Sequence, residues 1–430
     1  MSAEAKLSLR QALSVLRPGP FRRFVVGSSI SDTGTWMQVM AQGYILSTLT
    51  TKSLWLGMAN LAAGLPMLAL TMIGGAAADK YDKRQILLMT QYVQIALAIA
   101  LGLLIWSGNI AMWQIFVCAA ILGISNSFEM PTITALVPEL VQKHEIASAV
   151  AIDRAVFHGS RVVGPAVAGI LISAWGSAWA FFGNALSFVA LIIALLTLPP
   201  RQRGSAEEEE KRTSGIKDGF RFVARDKPSL AMVSLIATTT VCIFPIITIM
   251  MPLYVRLVLG LGADRLGALM SASAIGSVVG AIFMIGLRRD KRIPVMMLCV
   301  VTVACAVFGL SLAPSFHVAI GILVLNSLGL AMNFGLANTI VQERAPDYLR
   351  GRVSAVFMLS FVGLMPVAGL GITSVSDLIG MPKALAIASI IYGVIGLVVL
   401  ARVLRECREP GVCNVEPETP PPPPVPAAIN

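Results

Sequence analysis

The sequence predicts an all-α polytopic membrane protein with twelve transmembrane helices in two pseudo-symmetric six-helix bundles. Of its 430 residues, 56% are hydrophobic and only 13% are charged, whereas soluble globular proteins carry about 25% charged residues. A chain this apolar cannot cover a large core with polar surface, so much of its surface must face lipid. The apolar residues also fall into twelve stretches of about 20 residues, the length that spans a bilayer as a helix.

The predicted spans form two sets of six. The first set lies at roughly 24–48, 54–78, 85–107, 110–136, 146–174 and 177–198. The second set lies at roughly 229–254, 266–287, 293–313, 316–341, 353–376 and 384–401. The chain therefore divides into five parts, namely an N-terminal segment 1–23, a first bundle 24–198, a central linker 199–228, a second bundle 229–404 and a Pro-rich tail 405–430.

The Lys and Arg residues predict the orientation, because cytoplasmic loops of membrane proteins are enriched in them. All but six of the 33 basic residues fall on one side of the predicted spans. The exceptions are Arg154 and Arg161 inside a span, and Lys52, Arg256, Arg265 and Lys383 on the other side. We therefore expect both termini and the central linker in the cytoplasm, and we expect the tail to be disordered.

The central linker has two parts of different character. Its first part contains the charged run SAEEEEKR, which cannot bury enough apolar surface to become ordered. In its second part Ile216, Phe220 and Val223 recur at helical spacing opposite basic residues. This pattern predicts a short helix on the inner leaflet, with a solvated linker helix as the alternative.

Several classes of function are disfavoured by what the sequence contains. The net charge of +10 comes from short clusters between apolar stretches rather than from one basic face, so nucleic acid is not an expected partner. The six cysteines have no CxxC spacing and the three histidines do not cluster, so no metal site is expected. The phosphate-binding pattern GxxxxGK[ST] does not occur, which argues against ATP-driven pumping. We expect neither an enzyme nor a bound cofactor.

The two halves resemble each other around their basic loops. The segment 74–84 has a weaker echo at 280–292, and the segment 138–149 has one at 346–355. Because each repeat unit contains an even number of spans, six, both units have the same orientation in the membrane. Transporters built from a parallel duplication share this arrangement.

A basic loop motif resembles the signature of the major facilitator superfamily between helices two and three. The motif consists of Gly75, Asp79, Lys80, Lys83 and Arg84. Asp82 stands where that family commonly has Gly. The resemblance implies a cluster that ties helix two to helix eleven and latches the outward-facing state; an ordinary positive-inside loop is the alternative.

Three further stretches are similar to the enterobactin-exporter-like branch of that superfamily, which includes siderophore and macrolide-type exporters. They are Glu129-Met-Pro131, the run from Arg161 to Gly169, and the run from Asn338 to Val353. The resemblance implies a bacterial inner-membrane location. In the helix-five run, Gly164, Pro165 and Gly169 match a motif that, in the family, kinks helix five and seals the route in antiporters; a packing kink is the alternative.

Ionisable residues within predicted spans are costly in lipid, so they mark functional positions by default. They all lie in the first half, at Asp32, Glu129, Asp153, Arg154, His158 and Arg161. At 1.5 Å rise per residue, we expect Asp32, Glu129 and the Asp153–Arg154 pair to share one layer. We predict that Asp32 or Glu129 carries a coupling proton, with Arg154 or Arg161 as its charge partner. A static salt-bridge network and recognition of substrate charge are the alternatives.

The second half offers adaptable methionines and polar asparagines that suit a variable ligand. We predict that the substrate cavity is lined by Gln38, His158, Met250, Asn333, Asn338 and Met358. The expected function is secondary active transport, driven by the proton motive force, in which a monomer exports small amphipathic molecules. The alternatives are a facilitator or importer of the same fold, and a membrane enzyme or sensor.

Overall fold

A computed structural model describes residues 14–198, 216–313 and 315–406. The charged first part of the linker and the Pro-rich tail, about which the sequence makes predictions, lie outside these residues. Twelve long helices run through the described chain. They are α1 Pro20–Leu49, α2 Ser53–Lys80, α3 Lys83–Trp106, α4 Met112–Leu136, α5 Ile146–Trp175, α6 Ala178–Leu196, α7 Lys227–Val258, α8 Ala263–Met284, α9 Arg292–Ser311, α10 Phe316–Arg344, α11 Arg350–Ile379 and α12 Met381–Glu406.

The prediction of an all-α polytopic protein is confirmed. Eleven of the twelve long helices in the described ranges are long and apolar enough to cross a membrane. The remaining one, α1, is 30 residues long but carries Arg22, Arg23 and Asp32. Two of the helices contain π-helical turns, at Ile246–Met250 and Tyr254–Val258 in α7 and at Leu359–Gly363 in α11.

Short polar turns and glycines end one helix and begin the next. The side chain of Asp82 accepts a hydrogen bond from the backbone N–H of Arg84 and so caps the start of α3. Gly176 follows α5 with a φ of 94°, and Gly380 follows α11 with a φ of 90°. This left-handed conformation favours glycine, and it occurs at the equivalent position of each half.

Glycines let helices within each half pack closely. A Cβ on Gly74 of α2 would lie 1.9 Å from the carbonyl oxygen of Ser127 in α4. In the second half, a Cβ on Gly280 of α8 would lie 2.5 Å from the carbonyl oxygen of Leu328 in α10. The helix pairs α2–α4 and α8–α10 correspond under the predicted duplication, and both depend on the small residues that membrane helix interfaces favour.

The two ends of the helical bundle differ in charge. Because consecutive helices are antiparallel, the turns that follow α2, α8 and α10 lie at one end, and they carry the basic clusters at 80–84, 288–292 and 344–352. We call this the basic end and the other the far end.

The first and second halves contact each other at the far end. Asp377 near the end of α11 bonds to Ser53 at the start of α2, and Arg256 near the end of α7 donates to the carbonyl oxygen of Ser47 in α1. At the basic end, the first part of α11 packs instead against α7, α10 and the linker helix. The contacts thus close the far end.

The linker helix, Ile216–Arg225, packs on protein rather than lying only against lipid. Val223 is 3% exposed, and a Cβ on Gly219 would lie 2.7 Å from the carbonyl oxygen of Arg352 in α11. Asp218 accepts a hydrogen bond from Arg352 at 3.1 Å. Phe220, which the sequence places on the apolar face, is 46% exposed. Part of the predicted membrane-facing surface is therefore used to hold the helix on α11.

Candidate functional site

The site is organised around the contact between α1 and α5. A Cβ on Gly164 of α5 would lie 2.6 Å from both the carbonyl oxygen of Thr33 and the Cβ of Trp36, so only glycine permits this approach. The hydroxyl of Thr33 donates to that of Ser160 at 3.2 Å across the same contact. The two helices therefore lie close enough for their polar faces to adjoin.

One face of α5 carries a row of functional groups. Arg154, His158, Arg161 and Pro165 follow one another at intervals of three or four residues, so they lie on one side of the helix. On α1, Asp32, Trp36 and Val39 have the same spacing. The α1–α5 contact thus brings an acidic, an aromatic and a basic side chain into one region.

Arg161 lies over an aromatic ring rather than beside a carboxylate. Its guanidinium carbon is 5.2 Å from the ring centroid of Trp36, within the range of a cation–π interaction. The Trp36 ring in turn contacts Phe157 edge-on, with centroids 5.8 Å apart. Among the described residues, Arg161 forms no ion pair and no hydrogen bond.

A small cavity lies beside this pair, between the two halves of the chain. Its volume is about 60 Å³. Its walls come from α1, α5, α7, α8 and α10, and they consist of Trp36, Val39, Arg161, Pro165, Ile247, Thr248, Met251, Leu269, Met270, Ser273 and Leu323. The cavity is therefore mostly apolar, with two hydroxyl groups and one cation.

The acidic residues gather on the side of the cavity toward the basic end. Asp32 accepts a hydrogen bond from Ser28 at 3.2 Å and lies within electrostatic range of Glu129 and Asp153. Glu129 accepts hydrogen bonds from Gln91, at 2.8 Å, and from Gln94. Asp32 therefore lies within electrostatic range of both other carboxylates of the predicted charge network.

The predicted arginine partners lie elsewhere. Within the described chain, neither Arg154 nor Arg161 forms an ion pair with Asp32 or Glu129. Arg154 lies 4.0 Å from Asp153, its neighbour in sequence, and its side chain is 52% exposed. His158, one turn from each arginine, lies within electrostatic range of both. The predicted pairing is absent because α5 turns Arg161 toward Trp36, and because Gln91 and Gln94 of α3 take the place beside Glu129.

The basic loop motif forms its bonds within the first half. Lys83 forms an ion pair with Glu139 at 3.0 Å, and Arg84 donates to the carbonyl oxygens of Leu196 and Leu198. Asp79 is exposed, and a Cβ on Gly75 would have no neighbour within 4 Å. The tie to helix eleven that the resemblance implies is not formed here, since α2 and α11 bond to each other at the far end.

The helix-five motif serves two contacts at once. Gly164 faces α1, whereas the carbonyl oxygen of Pro165 would lie 2.3 Å from a Cβ on Gly267 of α8. A Cβ on Gly169 would lie 3.0 Å from the carbonyl oxygen of Ala263, also in α8. The motif therefore allows α5 to pack tightly against both halves along one continuous helix.

None of the six residues predicted to line the substrate cavity lies in the wall of the small cavity described above. Gln38 is buried and accepts a hydrogen bond from Asn184 at 2.7 Å. Asn333 is buried and donates to Tyr392 at 3.3 Å. Asn338 accepts from Gln342 in its own helix.

The other three predicted residues, Met250, Met358 and His158, also lie outside the wall of this cavity. Met250 is fully buried, whereas Met251, about 100° around the helix, lines the cavity. Met358 is 43% exposed and lies in α11, outside the cavity wall. His158 lies one turn from Arg161 but is not in the wall either. These predictions were made from residue type alone. The rotation of each helix about its axis decides which of its residues face the cavity.

Sequence reasoning also missed Trp36, Thr248, Met270 and Ser273, which line the cavity. It missed Gln91 and Gln94 as well, although two glutamines one turn apart in an apolar span are a visible signal. In lipid such groups need a partner, and here both donate to Glu129.

Comparison with known proteins gives a consistent set of relatives. A family model described as "Transmembrane secretion effector" matches residues 10–429. A staphyloferrin A transporter of Staphylococcus aureus is 24% identical over 376 residues, covering 85% of this chain and 92% of its own. The multidrug efflux pump Tap of Mycolicibacterium fortuitum is 24% identical over 354 residues, covering 79% and 84%.

Another relative matches over more of the chain, and solved structures share the fold. The enterobactin exporter EntS of Citrobacter koseri is 24% identical over 413 residues, covering 93% of this chain and 96% of its own. The crystal structure of the nucleoside transporter NupG superposes with a TM-score of 0.73 at 13% identity, covering 89% of this chain and 99% of that one.

Proposed function

The chain belongs to the transmembrane secretion effector family of the major facilitator superfamily, and from that membership we propose that it is a proton-coupled exporter of small amphipathic molecules such as siderophores or drugs. It is a multi-pass membrane transporter, as its relatives are. Two of those relatives are named as an enterobactin exporter and a multidrug efflux pump. We place it in the bacterial inner membrane as a monomer, with the basic end in the cytoplasm.

The cluster of three carboxylates carries the proposal of proton coupling. Asp32 lies within electrostatic range of Glu129 and Asp153 inside the membrane, and no described arginine or lysine pairs with Asp32 or Glu129. Keeping several carboxylates ionised within electrostatic range of one another in a medium of low polarity is costly. Binding a proton relieves this repulsion, so one group can take up and release a proton as the surroundings change.

The position of the cluster supports coupling to the substrate path. Asp32 precedes Trp36 by one helical turn, and Trp36 lines the cavity between the halves. A ligand or a movement that displaces Trp36 would therefore change the surroundings of the Asp32 carboxylate. Glu129 would respond through its repulsion from Asp32, while Gln91 and Gln94 hold its orientation.

Alternating access supplies the movement. The halves bond to each other at the far end, while the basic loop motif forms its bonds within the first half. A transporter must exchange this arrangement for one closed at the basic end, and the two conformers need differ by only a few kcal/mol, on the usual scale of such equilibria. We propose that the motif at 75–84 engages α11 in that second conformer.

Transport by inverted membrane vesicles under an imposed pH gradient tests the proposal. A panel of fluorescent drugs is the probe, with the variants Asp32→Asn and Glu129→Gln compared with the natural chain. We expect the natural chain to respond to the gradient and at least one variant to lose that response while still binding the probe. Asp347→Asn is the matched control, because the Asp347 side chain is 91% exposed.

Two results would contradict the proposal in different ways. Full dependence on the pH gradient in both variants would show that neither carboxylate carries the proton. Movement of the probe only down its own gradient in the natural chain would instead identify an uncoupled facilitator of the same fold.

A further inference from the structure

Arg161 is the one charged residue in the wall of the cavity. The cavity lies between the halves, since its wall draws on α1 and α5 from the first and on α7, α8 and α10 from the second. A residue at this place lies on any path that alternating access opens through the molecule. The positive charge of Arg161 therefore acts on any substrate that moves along this path.

The positive charge of Arg161 is not compensated by the protein. No acid among the described residues lies within ion-pairing distance, and the nearest charged neighbours on α5 are Arg154 and the titratable His158. A guanidinium has five N–H donors, yet Arg161 makes no hydrogen bond to a described residue. A half-buried and unpaired cation within a membrane protein is costly, and a ligand of opposite charge offsets that cost.

The ring of Trp36 lies beside the guanidinium, with its centroid 5.2 Å from the guanidinium carbon. The N–H donors of Arg161 are bonded to no described residue, so they are available to a ligand. The N–H edge of a guanidinium matches the two oxygens of a carboxylate or of adjacent phenolates, which it can bind in a bidentate manner. The apolar wall, including Met251, Leu269 and Met270, suits an aromatic or aliphatic body.

On these grounds, and resting on the proposed export function, we propose that Arg161 is the anion-binding residue of the central cavity and that the cargo is an organic anion with an apolar or aromatic body. The cavity volume of about 60 Å³ holds about two water molecules, which is the size of one carboxylate group. The body of the ligand extends from there between the halves.

Binding to the purified protein in lipid nanodiscs tests this without any pH gradient. The probes are 1-naphthoate, its neutral amide 1-naphthamide, and the cation 1-naphthylmethylammonium. We expect the natural chain to bind the anion at least tenfold more tightly than the amide and to bind the cation most weakly. Arg161→Gln should abolish the preference for the anion while binding of the amide persists, and Arg161→Lys should retain part of that preference.

Arg265 provides a matched control, because it also lies over an aromatic ring, 4.7 Å from the centroid of Phe316. It is paired with Asp264 at 3.3 Å and lies outside the cavity wall. Arg265→Gln should leave the order of the three probes unchanged. The inference is overturned if the natural chain shows no preference for the anion or binds none of the probes.

It is also overturned if Arg161→Gln, still folded and binding the amide, keeps the anion preference. Because no gradient is applied, these outcomes are separate from those that test proton coupling.

Discussion

The carboxylate of Asp377, near the end of α11, accepts hydrogen bonds from the backbone N–H groups of Ser53, at 2.6 Å, and of the following residue, at 2.9 Å. These are the first two residues of α2, so a side chain from one half caps a helix of the other. Nearby, Arg256 of α7 donates to the carbonyl oxygen of Ser47 near the end of α1. The negative charge of Asp377 thus lies at the N-terminus of α2, and the positive charge of Arg256 lies at the C-terminus of α1. Each charge is of the sign that the helix dipole favours at that end.

Asp377→Asn should shift the protein toward the conformer that is open at the far end. Asparagine keeps one acceptor oxygen but loses the second and the negative charge at the helix N-terminus, which costs about 1 kcal/mol. A difference of that size changes a two-state population several-fold. Spin labels at Lys52 and Lys383, on opposite sides of this contact, should report a larger fraction of long distances in a cysteine-free background. Asp264→Asn, at the same end but paired with Arg265, is the control and should leave the distances unchanged.

Gly164→Ala should lower the thermal stability of the transporter. The added Cβ would lie 2.6 Å from the backbone of Thr33, and overpacking of this kind costs about 1–3 kcal/mol. Gly159→Ala, in the same helix, is the control because a Cβ there has no neighbour within 4 Å. It should be neutral or slightly stabilising, since alanine favours helix by about 1 kcal/mol. Equal losses of unfolding temperature in both variants would argue against the α1–α5 contact described above.

Asp226 should stabilise the start of α7 in a pH-dependent way. Burial would raise the pKa of Asp226, but hydrogen bonds from Arg344 and Ser229 outweigh burial and hold that pKa below its ordinary value. The bonds from Arg344 are 2.6 and 2.7 Å long. Because the pKa is lower in the folded state, the stabilisation is complete above the unfolded pKa of about 4 and is lost as pH falls toward the folded value.

The variant Asp226→Asn isolates that contribution. At neutral pH it should unfold more easily than the natural chain by about 2 kcal/mol, the scale of a hydrogen bond to a charged group. The difference should shrink as the pH is lowered below about 4. Thermal unfolding in detergent across this range measures it, and a difference that stays constant with pH would contradict the ion-pair explanation.

Asp79→Asn should change the conformational equilibrium without changing stability. Asp79 is exposed and forms no ion pair with a described residue, so its loss removes no bond from this conformer. If it engages α11 in the other conformer, its loss favours opening at the basic end. Spin labels at Tyr81 and Tyr348, which are 59% and 78% exposed, measure that opening.

Lys83→Gln is the companion variant. It breaks the ion pair with Glu139, whose partners both belong to the first half. We expect a stability loss of no more than about 1 kcal/mol, as for partly exposed pairs, and no change in the label distances. An unchanged distance distribution in Asp79→Asn as well would show that the motif is an ordinary basic loop.

The amino-acid sequence by itself determined the membrane class and the approximate positions of the helices. The length of an apolar stretch and the distribution of Lys and Arg are local properties, and lipid enforces them because an unsatisfied backbone cannot cross it. The sequence also identified the costly charges at Asp32, Glu129 and Arg161, since an ionisable residue within an apolar span is visible without a structure.

Only the tertiary structure decided how those residues are used. A helix turns by about 100° per residue, so Met251 lines the cavity while Met250 is buried. The close approach of α1 at Gly164 places Trp36 under Arg161, and packing of α3 on α4 gives Glu129 its glutamine partners. Which end of the molecule is closed likewise depends on contacts between residues more than 300 positions apart, such as Ser53 and Asp377. Such contacts follow from the packing of whole helices, which no local pattern of residues encodes.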